Sequence, residues 1–265
     1  MVRFFRLTKY EALPMNAQHT AESLGLQSGE THRMDCPDCG HKNTFSVSNV
    51  NGTLMWNCFH ADCGVSGGKF SLTLNNAADF LTKPKQTVVE FVKPKSWSRV
   101  IPPRAKDYTS LVHTAGRFED LYFDVVKDRL VYPIHDADGK LVDGAGRSLT
   151  GARPKWYRYG NYRGGFCIGT SRTAFVVEDI PSAISISDWV TGYALLGTAL
   201  RDEHVQELVE FEKVYVALDK DATDKSLTYM RALNTLVPTG IAMLDKDLKS
   251  MDEEERERTV RTAIN

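Results

Sequence analysis

Ala174-Phe175-Val176-Val177-Glu178 and Val214-Tyr215-Val216-Ala217-Leu218-Asp219-Lys220-Asp221 are two short apolar runs that end in carboxylates. Near-continuous apolar runs of this length are the pattern of strands buried on both faces of a parallel sheet. In open α/β sheets ligands bind beyond the carboxyl ends of the strands, which is where these acids fall. Three carboxylates converging there repel one another unless a cation holds them, and a hard divalent ion with oxygen ligands suits the role.

The sequence around the two runs alternates strand and helix. Pro181 fits the first turn of a helix predicted to run to about Thr191 and to stop at Gly192. Strand Tyr193–Leu196, a turn at Gly197-Thr198 and helix Arg201–Glu210 follow, then the Asp219 strand and a helix over Ala222–Leu236. A strand Ile241–Leu244 leads into Asp245-Lys246-Asp247, and Ser250 with Glu253 predicts a capping box for a last helix, Asp252–Ile264. Such alternation implies a parallel sheet with right-handed crossovers.

Charge is unevenly spread over the 265 residues. The net charge is −1, yet it is +4 over residues 1–105, +3 over 106–175 and −8 over 176–265. No carboxylate lies between Asp143 and Glu178, while Arg147, Arg153, Lys155, Arg158, Arg163 and Arg172 all do. A basic block beside an acidic cluster suits a polyanion handled next to metal ions; its plain alternative is a solvated basic surface. No apolar run reaches the ~20 residues of a membrane span, and Met1–Tyr10 lacks the apolar core of a signal peptide, so the expected setting is cytoplasmic.

Upstream, Cys36-Pro37-Asp38-Cys39 is followed by Cys58 and Cys63, two pairs at zinc-ribbon separation. Thr44–Ser48, the Asn51-Gly52 turn and Thr53–Asn57 predict a hairpin that brings the pairs together. Four residues separate Cys58 from Cys63, which lets His60 compete, so Cys36, Cys39, His60 and Cys63 form a second acceptable set. Zinc here is structural, since all four positions are protein ligands. Thr82–Asp107, with Lys83-Pro84-Lys85, Lys93-Pro94-Lys95 and Pro102-Pro103, has the composition of an extended linker. Beyond it, Arg129–Val142 is a strand, an Asp-Gly turn and a returning strand, followed by Gly144–Arg147 and Pro154–Tyr159. The aromatic and cationic residues interleaved there suit either stacking on bases or a core. Cys167 has the surroundings of a small core residue.

Four blocks in order resemble the DnaG-type DNA primases, and more closely the primase half of phage primase–helicases. They are the cysteine ribbon; Arg129–Arg147 with Pro154-Lys155; Glu178 with Leu196-Gly197-Thr198-Ala199-Leu200; and Leu218-Asp219-Lys220-Asp221-Ala222. The last block also resembles the Toprim fold of topoisomerases, some nucleases and recombination mediators. The resemblance implies an α/β chain: a zinc-ribbon template-binding domain (1–80), a linker (81–107), a basic subdomain (108–172) and a parallel-sheet Toprim subdomain (173–265). By the same likeness Glu178, Asp219 and Asp221 are the catalytic metal-binding acids, and Asp247 is a further magnesium ligand. Arg147, Lys155, Arg163 and Lys220 contact nucleotide or template.

One departure stands out. The family places glycine after the glutamate and aspartate four residues after it, where this chain has Asp179 and Ser182. The implied cofactors are one structural Zn²⁺ and two Mg²⁺ or Mn²⁺ ions. The implied partners are single-stranded DNA, ribonucleoside triphosphates and a replicative helicase, with no membrane. The implied reaction is primer synthesis by two-metal nucleotidyl transfer, in the host cytoplasm if the chain is phage-encoded. The rivals are a non-catalytic zinc/Toprim recombination mediator and a Toprim nuclease. The chain ends soon after the Toprim region, as a stand-alone primase or a shortened one would.

Overall fold

The computed structural model describes residues 17–26, 30–50, 53–70, 90–197 and 199–265. The chain divides into two compact units, residues 1–71 and 72–265.

In the first unit, strands β1 (Thr31–Met34), β2 (Phe45–Val50), β3 (Thr53–Cys58) and β4 (Ser66–Phe70) form an antiparallel sheet in chain order. Phe45 and Val47 alternate with Ser46 and Ser48, so one face of β2 is buried and the other is wet. Helix α1 (Ala17–Ser23) adds Ala17 and Ala21 to a core that also holds Phe45, Val47, Leu54, Trp56, Cys36 and Cys58. Gly67 gives Trp56 room to lie across β4, because a Cβ there would come within 2.5 Å of the indole. The Asn51-Gly52 turn lies outside the described residues.

The second unit holds two sheets. Strands β5 (Trp97–Ser98), β6 (Tyr122–Asp124), β7 (Arg129–His135), β8 (Leu141–Ser148) and β9 (Trp156–Arg158) form an antiparallel sheet in that order, after helix α2 (Pro103–Leu111) has intervened between β5 and β6. The other sheet takes β10 (Phe166–Ile168), β11 (Thr173–Val177), β12 (Thr191–Ala194), β13 (Lys213–Val216) and β14 (Thr239–Ile241) in the order β10-β12-β11-β13-β14. Its four later strands are parallel and β10 is an antiparallel edge. Helices α3 (Ile180–Ser185), α4 (Asp202–Leu208), α5 (Thr223–Leu233) and α6 (Glu253–Ile264) connect or follow these strands. Leu130, Tyr132 and Ile134 from the first sheet share one core with Phe175, Val177 and Tyr215 from the second.

Several boundaries move from their expected places. The linker expected over 81–107 gives way to structure by residue 97. Trp97 is buried in β5 over Gly144, whose missing side chain leaves space for the indole, and α2 starts at Pro103. Helix α3 is shorter than predicted. Gly192 is a strand residue against which the Ala183 backbone packs with no room for a Cβ, rather than a helix stop. The last helix takes its capping box from Asp252 and Glu255, while the Ser250 hydroxyl donates to the Asp247 carbonyl at 2.7 Å. Cys167, expected in the core, is exposed on edge strand β10. No helix of the described residues is long and apolar enough to cross a membrane.

Candidate functional site

The first site is the thiol cluster. The turn after β1 and the hairpin ends place Cys36, Cys39, Cys58 and Cys63 with all four Sγ atoms within 4.8 Å of one another. Cys36 Sγ and Cys63 Sγ are 3.8 Å apart, as are Cys39 Sγ and Cys58 Sγ. A disulfide requires ~2.05 Å, whereas a tetrahedron with Zn–S bonds of about 2.3 Å has edges of about 3.8 Å. The cluster is therefore compatible with one structural zinc. Cys58 belongs to it, and its thiol is lowered to about 7. Burial opposes that shift, but Thr44, the His60 backbone and the Cys36 and Cys63 thiols outweigh it. The His60 ring stacks on His41 with centroids 3.4 Å apart, and Cys39, His41 and His60 form a second, overlapping set of metal-capable atoms.

The second site lies along the carboxyl ends of the parallel strands. Val176 is in register with Val216, so Glu178 and Asp219 leave neighbouring strands at the same sheet edge. Both are partly exposed. The Leu195–Gly197 backbone is tied to this edge: Leu195 N–H donates to the Val177 carbonyl at 2.9 Å and Gly197 N–H to the Glu178 carbonyl at 3.3 Å. The Tyr229 hydroxyl of α5 is raised by burial and by the Glu178 charge. Asp221 falls in the 3₁₀ turn Lys220–Ala222, and Lys220 is exposed there. Oxygen donors of this kind fit a hard divalent ion. Among the described residues, however, no three carboxylates at this edge gather within 4.8 Å of one another.

Asp179 is fully engaged. Its Oδ1 accepts from the Ser182 N–H at 3.0 Å, capping α3, and its Oδ2 lies 3.0 Å from Lys249 Nζ. Lys249 Nζ is also 3.0 Å from Asp247 Oδ2. Burial alone would lower the Lys249 ammonium, but Asp179, Asp247 and Asp219 together raise it. Ser182, which stands where the resemblance expects an aspartate, is buried inside the first turn of the helix.

Beside this edge opens a basic cavity of about 810 Å³, lined in part by Arg104, Tyr108, Arg147, Arg153 and Lys155. Arg147 lies 5.5 Å from the Tyr108 ring and 5.5 Å from the Trp156 ring, an arrangement that fixes the guanidinium by two cation–π contacts. Tyr108 joins the two regions. Its hydroxyl is raised by burial, with Arg147 and Lys249 opposing and Asp179 assisting.

The structure divides the carboxylate-free basic block. Arg147, Arg153 and Lys155 line the cavity, but Arg158 donates through both Nε and Nη2 to one oxygen, Oδ2, of buried Asp143. Arg163 Nε is 3.4 Å from Glu203, and Arg172 Nη1 is 2.7 Å from Glu212. Neither Arg163 nor Lys220 reaches the cavity wall. Sequence reasoning missed Arg104, Tyr108 and Lys249. Only the Pro102-Pro103 helix start hinted at the first two, and nothing local marked the third.

No family model matches the chain. A DNA primase of Neisseria meningitidis serogroup A is 26% identical over 136 residues, covering 45% of this chain and 23% of that protein. A DNA primase of Synechococcus elongatus is 32% identical over 177 residues, covering 55% of this chain and 26% of that protein. The chain thus spans about a quarter of the length of these curated relatives. The Aquifex aeolicus primase structure, comprising zinc-binding and RNA polymerase domains, superposes with a TM-score of 0.51 at 19% identity, over 92% of this chain and 82% of that one. The chain is thus similar in sequence to these DNA primases over about half its length, shares the fold of the Aquifex primase structure, and carries a thiol cluster compatible with one structural zinc.

Proposed function

We propose that the chain makes short RNA primers on single-stranded DNA, as a phage-type DNA primase. The observation that carries this reading is Tyr108, which lines the basic cavity with Arg147 and Lys155 and also feels the charges of Lys249 and of Asp179, the residue next to Glu178 at the sheet edge. A templated polymerase needs both: cations to hold phosphates and acids to hold metal ions.

In the reaction a primer 3′-hydroxyl attacks the α-phosphorus of a ribonucleoside triphosphate, the new P–O bond forms and pyrophosphate leaves. Divalent ions, two by the family resemblance, would supply electrostatic stabilisation of the negative charge that builds up on the phosphoryl oxygens. Glu178, Asp219 and Asp221 are the residues to hold them. Glu178 can also take up the hydroxyl proton through water. Arg147 and Lys155 hold triphosphate or template phosphate, with Arg147 pre-oriented between its two rings. Arg163 and Lys220 join them only if substrate draws their side chains inward. The zinc ribbon supports template selection, and a replicative helicase supplies unwound template.

The test is direct. The zinc-loaded chain with Mg²⁺ or Mn²⁺, four ribonucleotides and a randomised single-stranded template should yield short oligoribonucleotides whose starts reveal the template preference. Asp219→Ala combined with Asp221→Ala should abolish them. Template degradation instead of synthesis would turn the assignment to a nuclease, and DNA binding without incorporation would turn it to a recombination mediator.

A further inference from the structure

Lys249 sits where the fold gathers acids. It belongs to the 3₁₀ turn Leu248–Ser250, which is fastened by buried Leu248 and by the Ser250 N–H on the Asp247 carbonyl at 2.8 Å. Its side chain is 21% exposed, and Nζ is 3.0 Å from carboxylate oxygens of both Asp179 and Asp247. Asp179 cannot swing away freely, because its other oxygen caps α3. Asp219 is near enough to act on the ammonium electrostatically.

Two carboxylates from different elements converging on one point need a cation between them. In a metal site that cation is a divalent ion; here it is supplied by the chain. While the ammonium is in place, one oxygen of Asp179 and one of Asp247 are directed to it rather than to a metal ion.

We infer that Lys249 fills one of the two cation positions of the acidic edge, so that the free protein holds a single divalent ion, on Glu178 and Asp219. The inference rests on the metal-dependent reading above and changes one part of it: Asp247 serves Lys249, not a second magnesium. Lys249 is then a positioning residue whose charge is always present, whatever the metal concentration.

The test counts Mn²⁺ on the zinc-loaded full chain without nucleotide, by calorimetry and by the electron paramagnetic resonance of free Mn²⁺. One equivalent is expected for the wild type and for Lys249→Arg. Two are expected for Lys249→Met and Lys249→Gln, with the second bound at least about tenfold more tightly than any secondary binding to the wild type. Two isosteric neutral variants guard against one failing to fold. Two equivalents on the wild type, or one on both neutral variants, would overturn the role of Lys249 and leave the metal reading standing. No Mn²⁺ on any of the four proteins would overturn the metal reading itself.

Discussion

Val176 and Val216 pair in parallel register, and that single pairing brings Glu178, two residues on, and Asp219, three residues on, to the same end of the sheet from adjacent strands. Carboxylates gathered at one sheet end favour a bound cation. Glu178→Gln and Asp219→Asn should therefore each lower primer synthesis by at least about 100-fold, the scale of losing a key electrostatic stabiliser. Neither should lower the melting temperature measured without divalent ions. A variant that loses activity only by melting earlier would contradict the assignment.

The ribbon's apolar core is small and is built around the thiols themselves. Metal binding in zinc-finger peptides contributes ~10–16 kcal/mol, so its loss here should unfold the ribbon. Removing zinc with a chelator, or Cys36→Ser, is expected to abolish protection of β2 and β3 amides against hydrogen exchange. The β11 and β13 amides should stay protected, because the second unit has its own core. Cys58→Ser should lose zinc and His60→Ala should keep it, since the cluster that includes Cys58 is complete without the imidazole.

The parallel sheet, the ribbon and the strand-end acids were legible in the sequence because each is written locally, as an apolar run, a cysteine spacing or a terminal carboxylate. What was hidden depends on pairs distant in sequence. Arg158 looked available until Asp143 was found buried beneath it, accepting also from the Gly144 and Gly160 N–H groups at 2.6 Å. Trp97 looked like linker because its partner surface, Gly144, lies on a strand three places away in the sheet. Gly192 reads as a helix stop in one dimension and as a contact glycine in three. Lys249 carries no local mark, because the Asp179 carboxylate that meets it belongs to a helix cap distant in sequence.

Arg147 stands between Tyr108 and Trp156, and its Nε is buried without a hydrogen-bond partner. A guanidinium held like this is prepared for a bidentate phosphate contact. Arg147→Ala should cut kcat/KM for ribonucleotide or affinity for template by roughly 10–100-fold, and the salt dependence of template binding should shrink if phosphate is the lost partner. Arg147→Lys should recover only part of the loss, since an ammonium restores the charge but not the planar fork. Full recovery with lysine would show that stacking and bidentate geometry are irrelevant.

His204 offers a pH-dependent readout of the core. It is fully buried in α4, its Nδ1 accepts from the Arg201 N–H at 3.2 Å, and its ring edge meets Tyr193. Burial first, then the Arg201 and Arg158 charges, hold its pKa down to about 3. The unfolded chain takes up this proton near pH 6.5 and the folded chain does not. Stability from this group is therefore complete above pH 6.5 and declines as pH falls towards 3, by about 1.4 kcal/mol per pH unit at most. Between pH 6.5 and 5 the loss is about 2 kcal/mol. His113, also lowered by burial with Arg256 and Arg117 nearby, contributes in the same direction, so the readout is the difference between proteins. Urea unfolding of the zinc-loaded wild type and of His204→Asn, followed by a probe in the second unit, should give curves that converge as pH drops from 7 to 5. The variant starts lower for lack of the native packing but lacks the histidine's slope. Parallel curves would mean that the imidazole takes up its proton in the folded state after all.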